Sequence, residues 1–133
     1  MVDLAGPMHF TFHRAFDWVV DKKRALQQLE AIGVKTVLTS GGVAQAEKGL
    51  DLLSELKGHT SNITIMPGGG ITVKNAHKFK EVGFKALHFS GSTFRQVGPG
   101  QPPLSFTSNK HLQEMHIAVT NEAVVRQIVQ IVK

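Results

Sequence analysis

The sequence predicts an α/β protein in which parallel strands alternate with helices, and two observations support this class. Four short segments rich in β-branched or aromatic residues, each bounded by Gly or Pro, recur along the 133 residues. Each of them is followed by a segment with apolar residues at helical spacing. Because a helix separates each strand from the next, we expect parallel strands joined by right-handed crossovers, with functional loops at their carboxyl ends.

The four predicted strands are short and resemble one another in composition. They are MHFTFH (Met8 to His13), VKTVLT (Val34 to Thr39), ITIMP (Ile63 to Pro67) and KALHFS (Lys85 to Ser90). Successive side chains of a strand face opposite ways, so the first and fourth strands should each present an apolar side to the helices. The apolar sides are Phe10 with Phe12, and Leu87 with Phe89; the polar sides are His9, Thr11 and His13, and His88 with Ser90.

The four predicted helices take their apolar faces from four groups of residues. These are Ala25, Leu26, Leu29 and Ile32; Val43, Ala46, Leu50 and Leu53; Val73, Ala76 and Phe79; and Val124, Val125, Ile128 and Ile131. Gly33, Gly58 and Gly83 are placed to end the first three helices. Thr72 and Thr120 are placed to cap the amino ends of the last two.

Composition and length limit the class of protein. With 41% hydrophobic and 19% charged residues, residues 1–133 are expected to form one soluble globular domain, with 96–119 as a long Pro/Gly-rich loop before the last helix. The formal charge of +5 comes from dispersed Lys and Arg, which favours a solvated surface over nucleic-acid binding. We also expect no membrane segment or signal peptide, and hence a cytoplasmic location. The absence of Cys excludes disulfides and thiolate sites from this chain.

Polar side chains gather where the first predicted strand ends. Arg14 and Asp17 follow His13 at the carboxyl end of that strand, where α/β proteins assemble their sites. His13, Arg14 and Asp17 are therefore candidate catalytic residues, with His13 or Asp17 moving a proton and Arg14 neutralising charge. His88 points to the same face as His13, which makes these two candidate metal ligands. A purely structural role for both histidines is an equally open interpretation.

Two small-residue turns form a second candidate site. Three consecutive glycines follow the third strand, and a Ser-Gly-Ser turn follows the fourth. Turns of this kind expose backbone N–H groups that bind phosphate in many (β/α)8 barrels, and the LTSGG turn after the second strand adds further donors. The candidate anion-binding residues are Thr39, Ser40, Gly41, Gly68, Gly69, Gly70, Ser90, Gly91 and Ser92, with Arg14 and Arg95 placed to reach the rim. Tight turns that hold no ligand are the alternative.

Four motifs in this order, FTFHRAFD, VLTSG, MPGGGI and an H-x-S in the last strand, resemble the CutC family of copper homeostasis proteins. The resemblance extends from about Met8 to Ser92 and continues more weakly to the last helix. It implies a (β/α)8 barrel, of which the four strands here are the fifth to the eighth. It also implies a cytoplasmic protein of copper homeostasis, with copper binding proposed and no reaction firmly attached.

Three functions follow as alternatives. The first is copper handling, in which His13 and His88 would hold the ion, because the cysteines linked to copper in some family members belong to the absent amino-terminal half. The second is an enzyme acting on a phosphorylated or carboxylated small molecule held at the glycine turns. The third is a half-barrel fragment that is inactive by itself. A half-barrel exposes strand edges, so we expect a homo-oligomer or the missing amino-terminal half as partner, besides copper or a small anion.

Overall fold

The protein is an α/β structure in a computed structural model that describes residues 2–98 and 116–133. Five strands are present in these residues: β1 (Thr11–Phe12), β2 (Thr36–Thr39), β3 (Thr64–Pro67), β4 (Ser92–Gln96) and β5 (His116–Thr120). The helices are α1 (Lys22–Ala31), α2 (Leu50–Gly58), α3 (Ala76–Val82) and α4 (Glu122–Val132), with short 3₁₀ helices at Asp3–Ala5, Arg14–Trp18 and Ala46–Gly49. The predicted α/β class is confirmed.

The main sheet contains β1, β2 and β3, all parallel and in sequence order. Thr36 is the centre of one register row, since it pairs with Thr11 on one side and with Thr64 on the other. The fourth predicted strand, Lys85 to Ser90, differs from the prediction because it reaches the sheet only through a single parallel bridge between Gly68 and His88. This segment has one bridge in the described residues, and a single bridge does not form the ladder of hydrogen bonds that defines a strand.

The helices cover one face of the sheet and leave the other face open. Val37 and Ile65 point into the core between the sheet and the helices, where they meet the largest fully buried side chain, Phe16, and its neighbours. The predicted alternation in β1 is confirmed, because Phe12 is half-buried against the core whereas Thr11 and His13 are exposed on the opposite face. The polar side of β1 therefore lies on the face that no described helix covers.

The helix ends match the sequence at the glycines and differ at the amino caps. Gly83 ends α3 in the left-handed conformation, with φ of +79°. The caps predicted at Thr72 and Thr120 are wrong, because an asparagine occupies the amino-cap position of each helix. Asn75 precedes α3 without a capping hydrogen bond from its side chain, and the Thr72 carbonyl accepts from the Asn75 and Ala76 N–H groups. Asn121 caps α4 by accepting from Ala123 N and Val124 N, and Thr120 is the last residue of β5.

An antiparallel pair of strands, β4 and β5, stands apart from the main sheet. Its register pairs Ser92 with Thr120 and Gln96 with His116. The two ends of the segment predicted as a loop, 96–119, are therefore extended, and its residues 99–115 lie outside the described part of the chain. Among the described helices, none has the length and hydropathy needed to cross a bilayer.

An open apolar groove runs beside the outer edge of β1. It has a volume of about 620 Å³ and is lined mainly by Phe12, Phe16, Val19, Leu29 and Ile32. Ile32 is 58% exposed, although it belongs to the apolar face predicted for α1. The groove places uncovered apolar surface next to the unpaired edge of a parallel sheet.

Candidate functional site

The site begins where β1 ends and the chain turns into the 3₁₀ helix Arg14–Trp18. His13 caps this helix, since its Nδ1 accepts a hydrogen bond from Ala15 N at 3.0 Å. Phe16 is completely buried and anchors the turn in the core. With Phe16 directed inward, Arg14 and Asp17 lie at the carboxyl edge of the sheet, as the sequence predicts.

The Asp17 carboxylate joins this turn to the loop that follows β2. It accepts hydrogen bonds from Thr39 Oγ1 at 2.5 Å, Ser40 N at 3.1 Å, Gly42 N at 3.1 Å and Arg14 Nε at 2.8 Å. The side chain of Asp17 is only 7% exposed. Burial raises the pKa of Asp17, but the hydrogen bonds from Thr39, Arg14, Gly42 and Ser40 together hold it below its ordinary value. The carboxylate is therefore ionised and fully occupied at neutral pH, which does not favour the proton-transfer role predicted for it.

The guanidinium of Arg14 is held in one orientation by three partners. Its Nε donates to Asp17, and its Nη2 donates to Ser40 Oγ at 2.8 Å and to Val43 O at 3.5 Å. The remaining nitrogen, Nη1, lies against Gly69, where a Cβ atom would stand 3.2 Å from it. Arg14 therefore presents two N–H donors beside the glycine turn, and no described residue accepts from them. This juxtaposition brings together predicted catalytic and predicted anion-binding residues.

The three glycines of the turn after β3 have different roles. Gly68 N is used by the sheet, since it donates to Thr39 O at 2.9 Å. Gly69 and Gly70 have φ of +115° and +72°, a region that side chains with Cβ rarely adopt. Their carbonyls accept from Ala46 N and Asn75 Nδ2, whereas their N–H groups have no partner among the described residues. Gly69 and Gly70, and not Gly68, carry the donors available to a ligand.

The second predicted turn, Ser90 to Ser92, lies near the first turn but faces other neighbours. The bridge between Gly68 and His88 brings the two chain segments to the same edge. Gly91 is buried against Val125 of α4, and its carbonyl accepts from Asn121 N at 2.7 Å. Ser90 and Ser92 are exposed. The two serines stay predicted ligands, but the described contacts group Arg14 with the first turn only.

The two predicted metal ligands do not form a closed metal centre. Within residues 2–98 and 116–133, no three side chains of His, Cys, Asp or Glu lie close enough to share an ion. If copper bound to His13 Nε2, the neutral imidazole would carry its proton on Nδ1. That proton would face the Ala15 N–H, from which Nδ1 now accepts a hydrogen bond. His88 is exposed, beside Gly68. Copper therefore does not fit His13 without loss of the helix cap.

Comparison with known proteins assigns the chain to a family. The sequence profile of the CutC family matches residues 1–93. A relative named family protein CutC from Photorhabdus laumondii is 42% identical over 105 residues, 74% of this chain and 42% of its own length. Another so named from Klebsiella pneumoniae is 34% identical over 130 residues, 96% of this chain and 53% of its own. This chain belongs to the CutC family. It spans about half, or less, of the length of these relatives.

The motifs that carried the CutC resemblance meet in the site. The first motif supplies Arg14 and Asp17, the second supplies Thr39 and Ser40, and the third supplies Gly69. Each motif lies at the carboxyl end of a different parallel strand, which explains how residues far apart in sequence are brought together. In this CutC family chain, the hydrogen bonds of Asp17 connect the first two motifs, and Arg14 reaches the third.

The sequence did not predict the residues that hold the carbonyl groups of the glycine turn. Asn75 is buried, with 7% of its surface exposed, and its Nδ2 donates to Gly70 O and to Glu47 Oε2. Asn75 directly precedes the apolar residues of α3, a position typical of a helix cap, so its place at the helix start was available from the sequence. Its contact with Glu47, 28 residues away, had no local pattern to indicate it.

Replacing Asp17→Asn should destabilise the folded chain by about 2 to 3 kcal/mol at neutral pH. The amide keeps one acceptor oxygen, but its NH2 group faces donors that now bind the second carboxylate oxygen. Urea unfolding followed by circular dichroism measures the change. Asp51→Asn, on the exposed side of α2, serves as the control and should change stability by less than about 0.5 kcal/mol.

The same variant tests the lowered pKa of Asp17. A carboxyl whose folded pKa is lowered contributes stability above its ordinary value of 3.8 and loses that contribution as the pH falls through the folded pKa. The original chain should therefore lose more stability than the Asp17→Asn variant as the pH falls below about 4. Equal acid dependence of the two proteins would contradict the ionised, hydrogen-bonded carboxylate.

Proposed function

We propose that this chain acts in copper homeostasis as a CutC family protein of the cytoplasm. The observation that supports the proposal, beside family membership, is that three of the four CutC motifs meet at one edge of the sheet: Asp17 joins the first two by hydrogen bonds, and Arg14 lies against Gly69 of the third. The described residues contain no metal centre of their own, so copper handling would depend on residues outside the described part of the chain or on a partner.

The fold we propose for the functional protein is a (β/α)8 barrel to which this chain contributes the last four units. The parallel order of β1, β2 and β3 and the helices on one face support this arrangement. The uncovered sheet face would line the barrel interior. The edge of β1, with its apolar groove, would receive a strand and helix from a second copy of this chain or from an amino-terminal half.

The purified chain should associate, because burial of the groove and pairing of the β1 edge remove apolar surface and backbone donors from water. Light scattering is expected to give a mass of a dimer or more. Ile32→Glu, which places a charge in the groove at a residue already exposed, should shift the mass toward the monomer. A monodisperse, cooperatively melting monomer of the original chain would rule out this assembly.

Loss of the gene for this chain should change the copper tolerance of its host cell, and the original gene should restore it. The Asp17→Asn variant should restore it less well, because it loosens the cluster in which the family motifs meet. Growth across a copper series measures both effects. Unchanged tolerance without the gene would argue against the copper role.

Copper titration of the purified chain examines direct binding in the same experiment series. We expect weak binding, because His13 Nδ1 already accepts from Ala15 N and because a chain without Cys has no thiolate, so that imidazole and thioether remain as ligands for Cu(I). Cu(I) without oxygen and Cu(II) in air should each be tested against a His13→Ala, His88→Ala double variant. Tight binding that the double variant abolishes would make these two residues the copper ligands after all.

A second candidate function is an enzyme or binding protein for a small phosphorylated or carboxylated molecule. The observation that favours it is the juxtaposition of Arg14 Nη1 with the unpartnered N–H groups of Gly69 and Gly70. A fixed guanidinium and successive backbone N–H groups are the donors that bind oxyanions in proteins. If the bound molecule reacts, His13 is the group available for proton transfer, since Asp17 is occupied.

Phosphate should shift the amide NMR resonances of Gly69 and Gly70, and Gly69→Val should abolish the effect. Valine at a φ of +115° is strained, and its Cβ would stand 3.2 Å from Arg14 Nη1. Gly58→Val is the matched control, because Gly58 lies at the end of α2 with open space around it. Resonance shifts confined to other parts of the chain would show that these glycines form a turn and do not bind phosphate. Added shifts at Ser90 to Ser92 would extend the site to the second turn.

A further inference from the structure

The carbonyl groups of Gly69 and Gly70 each accept a hydrogen bond from a residue outside the glycine turn. Ala46 N donates to Gly69 O at 2.9 Å, and Asn75 Nδ2 donates to Gly70 O at 3.0 Å. All peptide bonds in the described residues are trans, so the N–H of each peptide points opposite to its C=O. The Gly70 N–H therefore points away from Ala46, and the Ile71 N–H points away from Asn75. No described residue accepts from either N–H group.

Asn75 is fixed by a full set of hydrogen bonds. Its Oδ1 accepts from Thr72 N at 2.8 Å, and its second Nδ2 proton is donated to Glu47 Oε2 at 3.0 Å. Because the amide can place its N and O atoms in only one way that satisfies all three contacts, its donor toward Gly70 is specified. Glu47 is held in turn by Lys78 Nζ, 2.6 Å from Oε1.

We propose that Asn75 is a positioning residue for the oxyanion site: by holding the Gly70 carbonyl, it turns the Ile71 N–H of the same peptide group outward as a ligand donor, and Glu47 keeps its amide oriented. This inference rests on the proposed anion site at Arg14 and the glycine turn, and it adds Ile71 to the donors. Asn75 does not touch the ligand. Its effect on binding passes through one peptide group, because that peptide can rotate once its carbonyl is released.

The decisive variant is Asn75→Asp, which keeps the acceptor for Thr72 N but removes the donors to Gly70 O and Glu47. It should weaken phosphate binding by about tenfold, the order expected for misplacing one or two donors. It should also lower stability, since two carboxylates then face each other. Lys80→Met is the control, because it removes one exposed positive charge from α3 at a residue that contacts neither Asn75 nor Glu47, and it should leave the phosphate affinity within about twofold.

A second substitution separates positioning from general stability. Combining Asn75→Asp with Glu47→Gln removes the facing charges and restores a donor between the two side chains, so unfolding stability should recover. The Gly70 carbonyl still has no donor in this double variant, so phosphate affinity should stay about tenfold weaker than in the original chain and the Ile71 amide resonance should stay displaced. This double variant also supplies the measurement if Asn75→Asp alone does not fold.

Each outcome bears on one of the two proposals. If the original chain binds phosphate and the double variant recovers affinity together with stability, Asn75 is only a structural residue and the positioning role is overturned. The same conclusion follows if either Asn75 variant binds as well as the original chain. If phosphate leaves Gly69, Gly70 and Ile71 of the original chain unmoved, the anion site itself fails, and the positioning role fails with it.

Discussion

The buried carboxylate of Asp17 is the interaction on which the carboxyl edge of the sheet depends. Removing a carboxylate from water costs several kcal/mol unless hydrogen bonds replace its hydration. Here Thr39, Ser40, Gly42 and Arg14 supply those bonds; Thr39 ends β2, and Ser40 and Gly42 belong to the loop after it. The requirement to satisfy one buried charge therefore sets the distance between two strand ends. A group so occupied is poorly suited to exchange protons, which leaves His13 as the exposed acid–base group nearby.

The orientation of Arg14 follows from the same requirement, and it determines what kind of ligand the site suits. Asp17 offsets the charge of Arg14, so the pair has little net charge with which to attract an anion from a distance. What remains is directional: the N–H groups of Nη1 and those of the turn at Gly69 and Gly70. Directed donors select a ligand by the geometry of its oxygens more than by its charge. We expect modest affinity for inorganic phosphate and tighter binding of a larger molecule that also contacts neighbouring strand ends.

The sequence was informative wherever the cause of structure is local or periodic. Alternation in the first strand was enough to place Phe12 against the core and His13 on the open face. It failed at the amino ends of α3 and α4, where threonine and asparagine are both good caps and only the tertiary contacts decide between them. It also could not assign separate roles to consecutive glycines. The N–H of Gly68 donates to the sheet, and this hydrogen bond depends on the register between β3 and β2. The run of glycines contains no pattern that reveals that register.

The candidate site is enclosed on one side only, because one face of the sheet is uncovered among the described residues. Parallel sheets are almost always covered on both faces, yet here the face bearing Thr11, Thr36 and Thr64 has no covering layer among the described residues. In a closed barrel this face turns inward, and a mouth formed by eight strand ends surrounds a ligand from all sides. The ends of β1, β2 and β3 would surround it from one side only. In the proposed barrel, Arg14 and the glycine turn would form one wall of a site whose opposite wall would come from a second copy of this chain or from an amino-terminal half.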